Sequence, residues 1–409
     1  MKDPFGSSLL VSSSNVALKL LQRVFHKTTA SYKFLWFLAI LDLVKEAPQD
    51  AGPLRLSISM ICARMVAKSW IPTQRFKLSF GRWEIPAIIE ALKNPENDFP
   101  FDPRYKESEA LNALEGFAQA KPEKFRKIIF SPLARYVPYR FLSVWFPKAV
   151  DSFKEAIAFN SKKNPYYFPE NDLSFIEIST EWRKYFLENY ALLKDFAYWN
   201  FADFLQTRNT AVPALVKKFE LPDSRISLET QRKFWAPFLT SSRLARDIYG
   251  NQLDLNNFAL DHFLPWTFVV HNQIWNLTPM DRRLNSSKND QIPQDTYIRP
   301  LALQHKNLVR YHFSKDRKRS EDFFAEYENF LGVEIADFVS ASDAQVIELF
   351  QEHLDPLQQT ALNMGFPLWQ GMLMIRACSA NFSKIRKLRP KTIWLLPFLT
   401  ASRLIPATF

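Results

Sequence analysis

The chain has 409 residues, is 47% apolar and carries a formal net charge of +11. This length predicts two or three domains with sizeable cores, and the excess of lysine and arginine predicts a polyanionic partner. Only eight glycines occur, and neither GxxxxGK[ST] nor GxGxxG is present, which argues against a glycine-rich nucleotide-binding loop. The two cysteines exclude a disulfide framework and suit a reducing compartment.

The N-terminal sequence gives no sign of membrane targeting. Residues 1–4 lack the charged and then apolar layout of a signal peptide. The most apolar early run, residues 34–44, is about half the length needed to span a bilayer and contains Asp42. We therefore expect a soluble, cytoplasmic protein that does not enter a membrane.

Residues 1–222 are predicted to form a helical region that recognises a target or binds a partner. Apolar residues recur there at steps of three and four, which is the pattern of amphipathic helices. One short alternating run is typical of a strand. The predicted helices cover 15–26, 31–46, 54–70, 85–93, 107–120 and 180–206, and the predicted strand covers 175–178.

Basic and aromatic residues alternate over 133–141. Such a stretch can bind nucleic acid, because cations contact phosphates and rings stack on bases. A packed surface loop explains the same residues, and this second interpretation is favoured.

Residues 257–289 show a change of pattern in the middle of the chain. A short apolar run over 257–260 has strand character, and a second strand-like run covers 275–278. Residues 282–289 are predicted to form a short polar helix, with Asp281 as a good N-cap. This order of strand, loop, strand and helix can bring the residues that end the first strand close to the helix.

Residues that can bind a metal ion or transfer a proton recur along this predicted strand–loop–strand–helix segment. Asp261 and His262 end the first strand, Asn276 lies in the second, and Asn285 and Lys288 lie one turn apart on the helix. This ordered set resembles the HNH family of nucleases, whose core is the ββα-metal fold, and in particular the HNH domain of CRISPR effector nucleases.

The resemblance covers roughly residues 242–290. Many members of the family also bind a structural zinc through CxxC pairs near this core. Cys62 and Cys378 are far apart in sequence and far from the motif, so that zinc is not expected here.

The resemblance implies a role for each motif residue. Asp261 and Asn285 are expected to bind Mg²⁺ or Mn²⁺ through oxygen atoms. His262 is expected to act as general base, because an unperturbed histidine titrates near working pH. Asn276 is expected to hold the loop between the strands, and Lys288 to contact phosphate.

Further basic residues are predicted to contact nucleic acid, and the helices resume after them. His271 is expected at the surface rather than on a metal, whereas His305 and His312 are assigned to the basic region. Helices are predicted over 321–331 and 341–363, and a second basic run covers 384–391. The predicted nucleic-acid contacts are Arg282, Arg283, Arg317, Lys318 and Arg319.

The predicted fold is mainly α, with large helical regions flanking a small ββα-metal HNH module. The predicted regions are 1–222, 223–320 with the nuclease module and its basic flank, and 321–409, which is helical. The predicted function is metal-dependent endonucleolytic hydrolysis of phosphodiester bonds in double-stranded DNA, with a role in bacterial defence by analogy.

Two alternatives remain open. The same site could cleave RNA, or the chain could be a non-catalytic nucleic-acid-binding subunit of a larger complex. The sequence contains a single copy of the motif, so one chain should nick a duplex. A homodimer or a partner protein of a defence complex is therefore expected, and the aromatic helix over 180–206 is one candidate dimer surface.

Overall fold

A computed structural model describes residues 18–26, 28–48, 52–81, 84–222, 227–242 and 246–370. The predicted basic run over 384–391, Cys378, the first residues of the predicted helix over 15–26 and residues 243–245 before the motif lie outside this range. Within it the protein is mainly α-helical, as the low glycine content and the many Leu, Phe, Lys and Glu residues predict.

The helices and strands are numbered in chain order. The strands are β1 (Leu54–Ser57), β2 (Phe175–Ile178), β3 (Ala259–His262) and β4 (Leu277–Met280). The helices are α1 (Leu18–Leu21), α2 (Tyr32–Glu46), α3 (Ile58–Trp70), α4 (Glu84–Lys93), α5 (Glu107–Ala120), α6 (Pro122–Phe125), α7 (Ser131–Ala134), α8 (Val137–Phe141), α9 (Phe153–Ala156), α10 (Thr180–Glu188), α11 (Tyr190–Gln206), α12 (Glu229–Ser242), α13 (Trp266–Val269), α14 (Arg282–Lys288), α15 (Ile298–Lys315), α16 (Glu321–Leu331), α17 (Ile335–Ser340) and α18 (Asp343–Asn363).

Helix α2 lies at the centre of the first hydrophobic core. Its apolar run is buried on every side, packed by α3, α8, α10 and α11. Asp42 on this helix is neutralised by Lys68 of α3, whose ammonium also lies 3.0 Å from Glu107. The early apolar run is therefore the centre of a packed protein core. Among the described residues, no helix is long and apolar enough to cross a membrane.

The strand pair β1–β2 corrects one prediction and confirms another. Residues 54–57 do not begin the helix predicted over 54–70. They pair antiparallel with β2, with Leu54 opposite Ile178, and the helix begins at Ile58. The run Leu-Arg-Leu-Ser has no strong local preference, so its distant partner decides its structure. The predicted strand over 175–178 is confirmed with the same bounds.

The predicted long helix over 180–206 is two helices. Helix α10 ends at Glu188 and α11 begins at Tyr190. Asn189 leaves the helical conformation with φ −112°, and its side-chain amide donates a hydrogen bond to the carbonyl of Tyr185. Asparagine competes for backbone partners in this way, and the chain therefore changes direction here.

A second hydrophobic core contains Leu260 of β3 and apolar residues of the loop that joins β3 to β4. It runs from Phe234 to Phe366 and packs α12, α15, α16, α17 and α18 around the hairpin. Trp275, just before β4, stacks on Phe330 of α16 with ring centroids 3.7 Å apart. The helices after residue 320 thus share a core with the predicted nuclease module. The functional division into 1–222, 223–320 and 321–409 stays a prediction.

Candidate active site

The frame of the site is built from β3, β4 and α14. The strands are antiparallel, with Asp261 opposite Thr278 and His262 opposite Leu277. Residues Ile274–Asn276 form a 3₁₀ turn, so the second strand begins later than predicted. Asp281 caps α14 as predicted, accepting hydrogen bonds from the backbone N–H groups of residues 283 and 284 at 2.9 and 3.1 Å. The connection between the strands, residues 263–276, is called the connector below.

Asp261 is a buried carboxylate, with only 4% of its side chain exposed. The Lys288 ammonium lies 3.1 Å from Oδ2 and 3.3 Å from Oδ1 of this carboxylate. The Tyr249 hydroxyl donates to Oδ2 at 3.4 Å. Burial raises the pKa of the Asp261 carboxyl group, and the Lys288 ammonium opposes this shift. The lysine thus offsets part of the cost of burying this carboxylate.

Lys288 also fixes the end of β3. Its ammonium donates to the backbone carbonyl of His262 at 2.7 Å, and its side chain is fully buried. The structure therefore places Lys288 beneath the site, against Asp261. Its predicted contact with phosphate stays a prediction.

His262 lies at the end of β3 and is half-buried. Its Nε2 atom lies 2.9 Å from Oδ1 of Asn272 in the connector. Adjacent strand residues point to opposite faces. Asp261 accordingly faces Lys288 and α14, while the His262 ring meets the connector. The contact of Asn272 with His262 was not predicted from the sequence, because nothing in the sequence around a polar loop residue indicates which side chain it will contact.

Asn276 closes the connector at its far end. Its backbone carbonyl accepts a hydrogen bond from the Phe263 N–H at 2.7 Å. Its side chain accepts from the Leu264 N–H at 2.8 Å and donates to the Leu264 carbonyl at 2.9 Å. Asn276 is fully buried, so these bonds join the two ends of the connector and hold it as a loop of fixed shape.

Lys218 from the first region reaches into the same connector. Its fully buried ammonium donates to the carbonyls of Thr267, at 3.1 Å, and Phe268 at the end of α13. Burial lowers the pKa of Lys218 to about 7. On the other side, the Glu326 carboxylate of α16 accepts a hydrogen bond from the Ile274 N–H. Both helical regions therefore position the connector, and neither contact can be read from the local sequence.

The donors near Asp261 suit a hard divalent cation. Asp261 and Asn285 both supply oxygen atoms, which Mg²⁺ and Mn²⁺ prefer. Asn285 is half-buried and lies one helical turn before Lys288, on the face of α14 that meets Asp261. In the described part of the chain, no three His, Cys, Asp or Glu side chains converge as ligands. The oxygen chemistry of Asp261 and Asn285 suits a hard cation, and their role as its two protein ligands stays a prediction.

The remaining histidines lie apart from this donor set. His271 is half-buried in the connector beside Trp275, and burial lowers its pKa to about 4. The assignment of His305 and His312 to the basic region is wrong, because both lie in the second core. His305 contacts the Tyr327 hydroxyl at 2.6 Å, and His312 donates to the Phe234 carbonyl at 2.7 Å.

The predicted nucleic-acid contacts lie on the surface in two places. Arg282 and Arg283 are exposed in the first turn of α14, beside the site. Residues 317–319 are exposed on the turn between α15 and α16. Arg317 lies over the Phe313 ring, and Arg319 pairs with Asp316 at 3.4 Å. The exposed basic turn is therefore separate in sequence and in its contacts from the hairpin and α14.

An antiparallel hairpin followed by a helix, with Asp and His on the first strand and Asn on the helix, defines the ββα class of nuclease modules. Residues 245–294 match the family of HNH endonucleases. The chain therefore carries an HNH endonuclease module within a mainly α-helical protein. No curated protein and no solved structure matches the chain.

Proposed function

We propose that this protein is a metal-dependent endonuclease that hydrolyses phosphodiester bonds in double-stranded DNA. The observation that supports the proposal is the match of residues 245–294 to HNH endonucleases, over a hairpin and helix that carry Asp261, His262 and Asn285 in the order of the family motif. A cytoplasmic role in bacterial defence is part of this proposal and rests on analogy with the family.

Each of these residues has a separate role in the proposed hydrolysis. A water oxygen attacks phosphorus, the bond from phosphorus to the 3′-oxygen breaks, and the water proton passes to the His262 ring. The leaving oxygen takes a proton from solvent, which gives a 5′-phosphate and a 3′-hydroxyl. Asp261 and Asn285 would hold a divalent cation, which when bound would supply positive charge for the phosphate and the leaving oxygen.

The other residues keep the reacting groups in place. Asn272 holds the His262 ring, and Asn276 fixes the connector that carries Asn272. Lys288 keeps Asp261 charged and oriented before a cation binds. Arg282 and Arg283 project from the first turn of α14 and are proposed to bind the phosphates that flank the scissile bond.

The test is cleavage by His262→Ala, with Arg55→Ala on the β1–β2 strand pair as a control. Labelled duplex DNA, single-stranded DNA and structured RNA are incubated with each protein, with Mg²⁺, with Mn²⁺ and with excess EDTA. We expect duplex DNA to be cut first, EDTA to abolish cleavage, and His262→Ala to lose about 10²–10⁴-fold in rate. DNA binding by His262→Ala should remain.

Three results would contradict the proposal in different ways. Undiminished cleavage by His262→Ala would remove the general base from the mechanism. Cleavage that persists in EDTA would contradict the cation site. Preferential cleavage of RNA would keep the chemistry and change the substrate, whereas binding without cleavage under every condition would indicate a non-catalytic subunit.

A further inference from the structure

An aromatic groove of about 830 Å³ lies between α11, residues 216–222 and the connector of the nuclease site. Trp199 on α11 and Val216 are 58% and 59% exposed, which is unusual for apolar side chains of this size. Tyr190, Tyr198 and Phe219 also line it. An apolar surface of this kind marks a place where another molecule binds.

The charges around this groove are balanced. It is lined by two lysines, Lys194 and Lys217, and by two acids, Asp195 and Glu220. Lys194 lies 3.4 Å from Glu220, and Glu220 also accepts a hydrogen bond from Tyr198 at 3.3 Å. A phosphate backbone needs a groove with net positive charge. A patch that carries both signs in equal number can instead complement itself across a two-fold axis.

We propose that this groove binds a second copy of the chain, so that the protein is a homodimer joined through α11. In a two-fold interface the Trp199 side chain of each copy packs into the groove of the other, and lysines of one copy face acids of the other. Trp is the residue type that most often dominates the binding energy of such interfaces.

The groove is continuous with the catalytic connector. Trp266, which begins α13, and Val270, which directly follows α13, form part of its lining. Val270 adopts φ +57°, a left-handed conformation that β-branched residues rarely take, and the same connector carries Asn272 to His262. A partner seated here would therefore contact the element that positions the general base.

The consequence for cleavage rests on the proposed nuclease function. One site cuts one strand, and the second strand of a duplex runs in the opposite direction. Two sites related by a two-fold axis present that opposite orientation. We therefore infer that the dimer makes double-strand breaks, whereas a monomer nicks.

The experiment measures the mass of the full chain by sedimentation equilibrium in the absence of DNA. Wild type should be a dimer at micromolar concentration. Trp199→Ala and Val216→Glu should raise the dimer dissociation constant at least about 30-fold. Met60→Ala, which replaces an apolar residue that is 47% exposed on α3, is the control and should leave the dimer intact. Circular dichroism checks that each variant is folded.

A charge-swap experiment tests the self-complementarity directly. Lys217→Glu leaves the groove negative and Asp195→Lys leaves it positive, so each variant alone should repel its own copy and be monomeric. An equimolar mixture of the two variants should form a heterodimer. A monomeric wild type, or a mixture that stays monomeric, would overturn the proposal. Unchanged mass with weakened oligonucleotide binding in Trp199→Ala would assign the groove to nucleic acid instead.

The plasmid assay then separates this inference from the proposed function. Trp199→Ala should still convert supercoiled plasmid to open circles, while its linear product falls about tenfold or more. Failure of wild type to nick at all would refute the nuclease and leave the dimer measurement standing. A monomeric wild type that produces linear DNA in one binding event would refute the dimer alone.

Discussion

The described residues contain two antiparallel strand pairs of the same length. In β1–β2 the charged residues point outward, and the Arg55 guanidinium lies over the Phe175 ring at the surface. In β3–β4 the polar residues point inward, because Asp261 and Thr278 are buried opposite each other. Burying polar groups costs stability unless each is paired. The second pair therefore buries polar groups where the chemistry is proposed, whereas the first pair keeps its charged residues at the surface.

The two hydrophobic cores also differ in where their buried charged groups lie. In the first core the buried Lys68 ammonium pairs with two carboxylates, those of Asp42 and Glu107. In the second core the ion pair of Lys288 and Asp261 adjoins the ends of β3 and α14, where a cation is proposed to bind.

The largest expected effect follows from removing that ammonium. Lys288→Met should destabilise the fold by about 3 kcal/mol, because it leaves the Asp261 carboxylate buried without its partner. Mn²⁺ should restore a large part of the stability, up to about 2.7 kcal/mol at a 100-fold excess over its Kd. Guanidinium unfolding with and without Mn²⁺ measures both effects.

The matched control for this prediction is Lys306→Met. Lys306 is also buried and pairs with Asp343 at 2.5 Å, but the Asp343 side chain is 68% exposed. Its carboxylate can be solvated when the lysine is replaced, so the variant should lose less stability and gain nothing from Mn²⁺. Equal Mn²⁺ rescue of both variants would mean that the ion does not bind at Asp261.

The second prediction concerns pH and the buried histidines of the second core. Burial lowers the pKa of His305 from 6.5 to about 3, so the folded protein keeps this ring neutral. The unfolded chain binds a proton near pH 6.5, and stability is therefore complete above that pH and falls as the pH drops toward 3. At pH 5 this one residue should cost about 2 kcal/mol.

His305→Phe should remove that part of the pH dependence, as measured by guanidinium unfolding at pH 7.5 and pH 5. Phe350, whose ring stacks on His305 with centroids 5.7 Å apart, provides the control. Phe350→Leu should lower stability by a similar amount at both pH values, because it changes packing and not protonation. An unchanged slope in His305→Phe would show that other groups control the acid sensitivity.

The same comparison explains which features could be predicted from the sequence. The β3–β4 hairpin and α14 carry local signals, above all Asp281 as the N-cap, and their predicted bounds agree with the structure to within a few residues. Strand β1 carries no such signal, because its partner β2 lies far along the chain. The contacts of Asn272 and Lys218 depend on tertiary packing alone. The local frame and the loop-holding role of Asn276 were thus predictable, whereas the contacts made by Asn272 and Lys218 were not.

The smallest expected effect concerns the exposed basic turn over residues 317–319, which lies in the second region but away from the hairpin. Binding to DNA releases about 0.9 counterion for each phosphate that the protein neutralises. Reversing Arg317, Lys318 and Arg319 to Glu should therefore weaken DNA binding about tenfold at moderate salt. It should also flatten the plot of log K against log salt by about 0.9 for each phosphate that is no longer neutralised.

The control places the same change of charge elsewhere. Lys93, Lys184 and Lys233 are exposed lysines on three other helices, and their reversal to Glu alters the net charge by the same amount. Net charge acts at long range and is screened by salt, whereas a phosphate contact acts at one place. If the basic turn binds DNA, its reversal should lower the salt slope more than the control reversal does. If both reversals lower the salt slope equally, the basic turn contributes only to the overall positive charge of the protein. Arg282 and Arg283 would then remain as the proposed phosphate contacts.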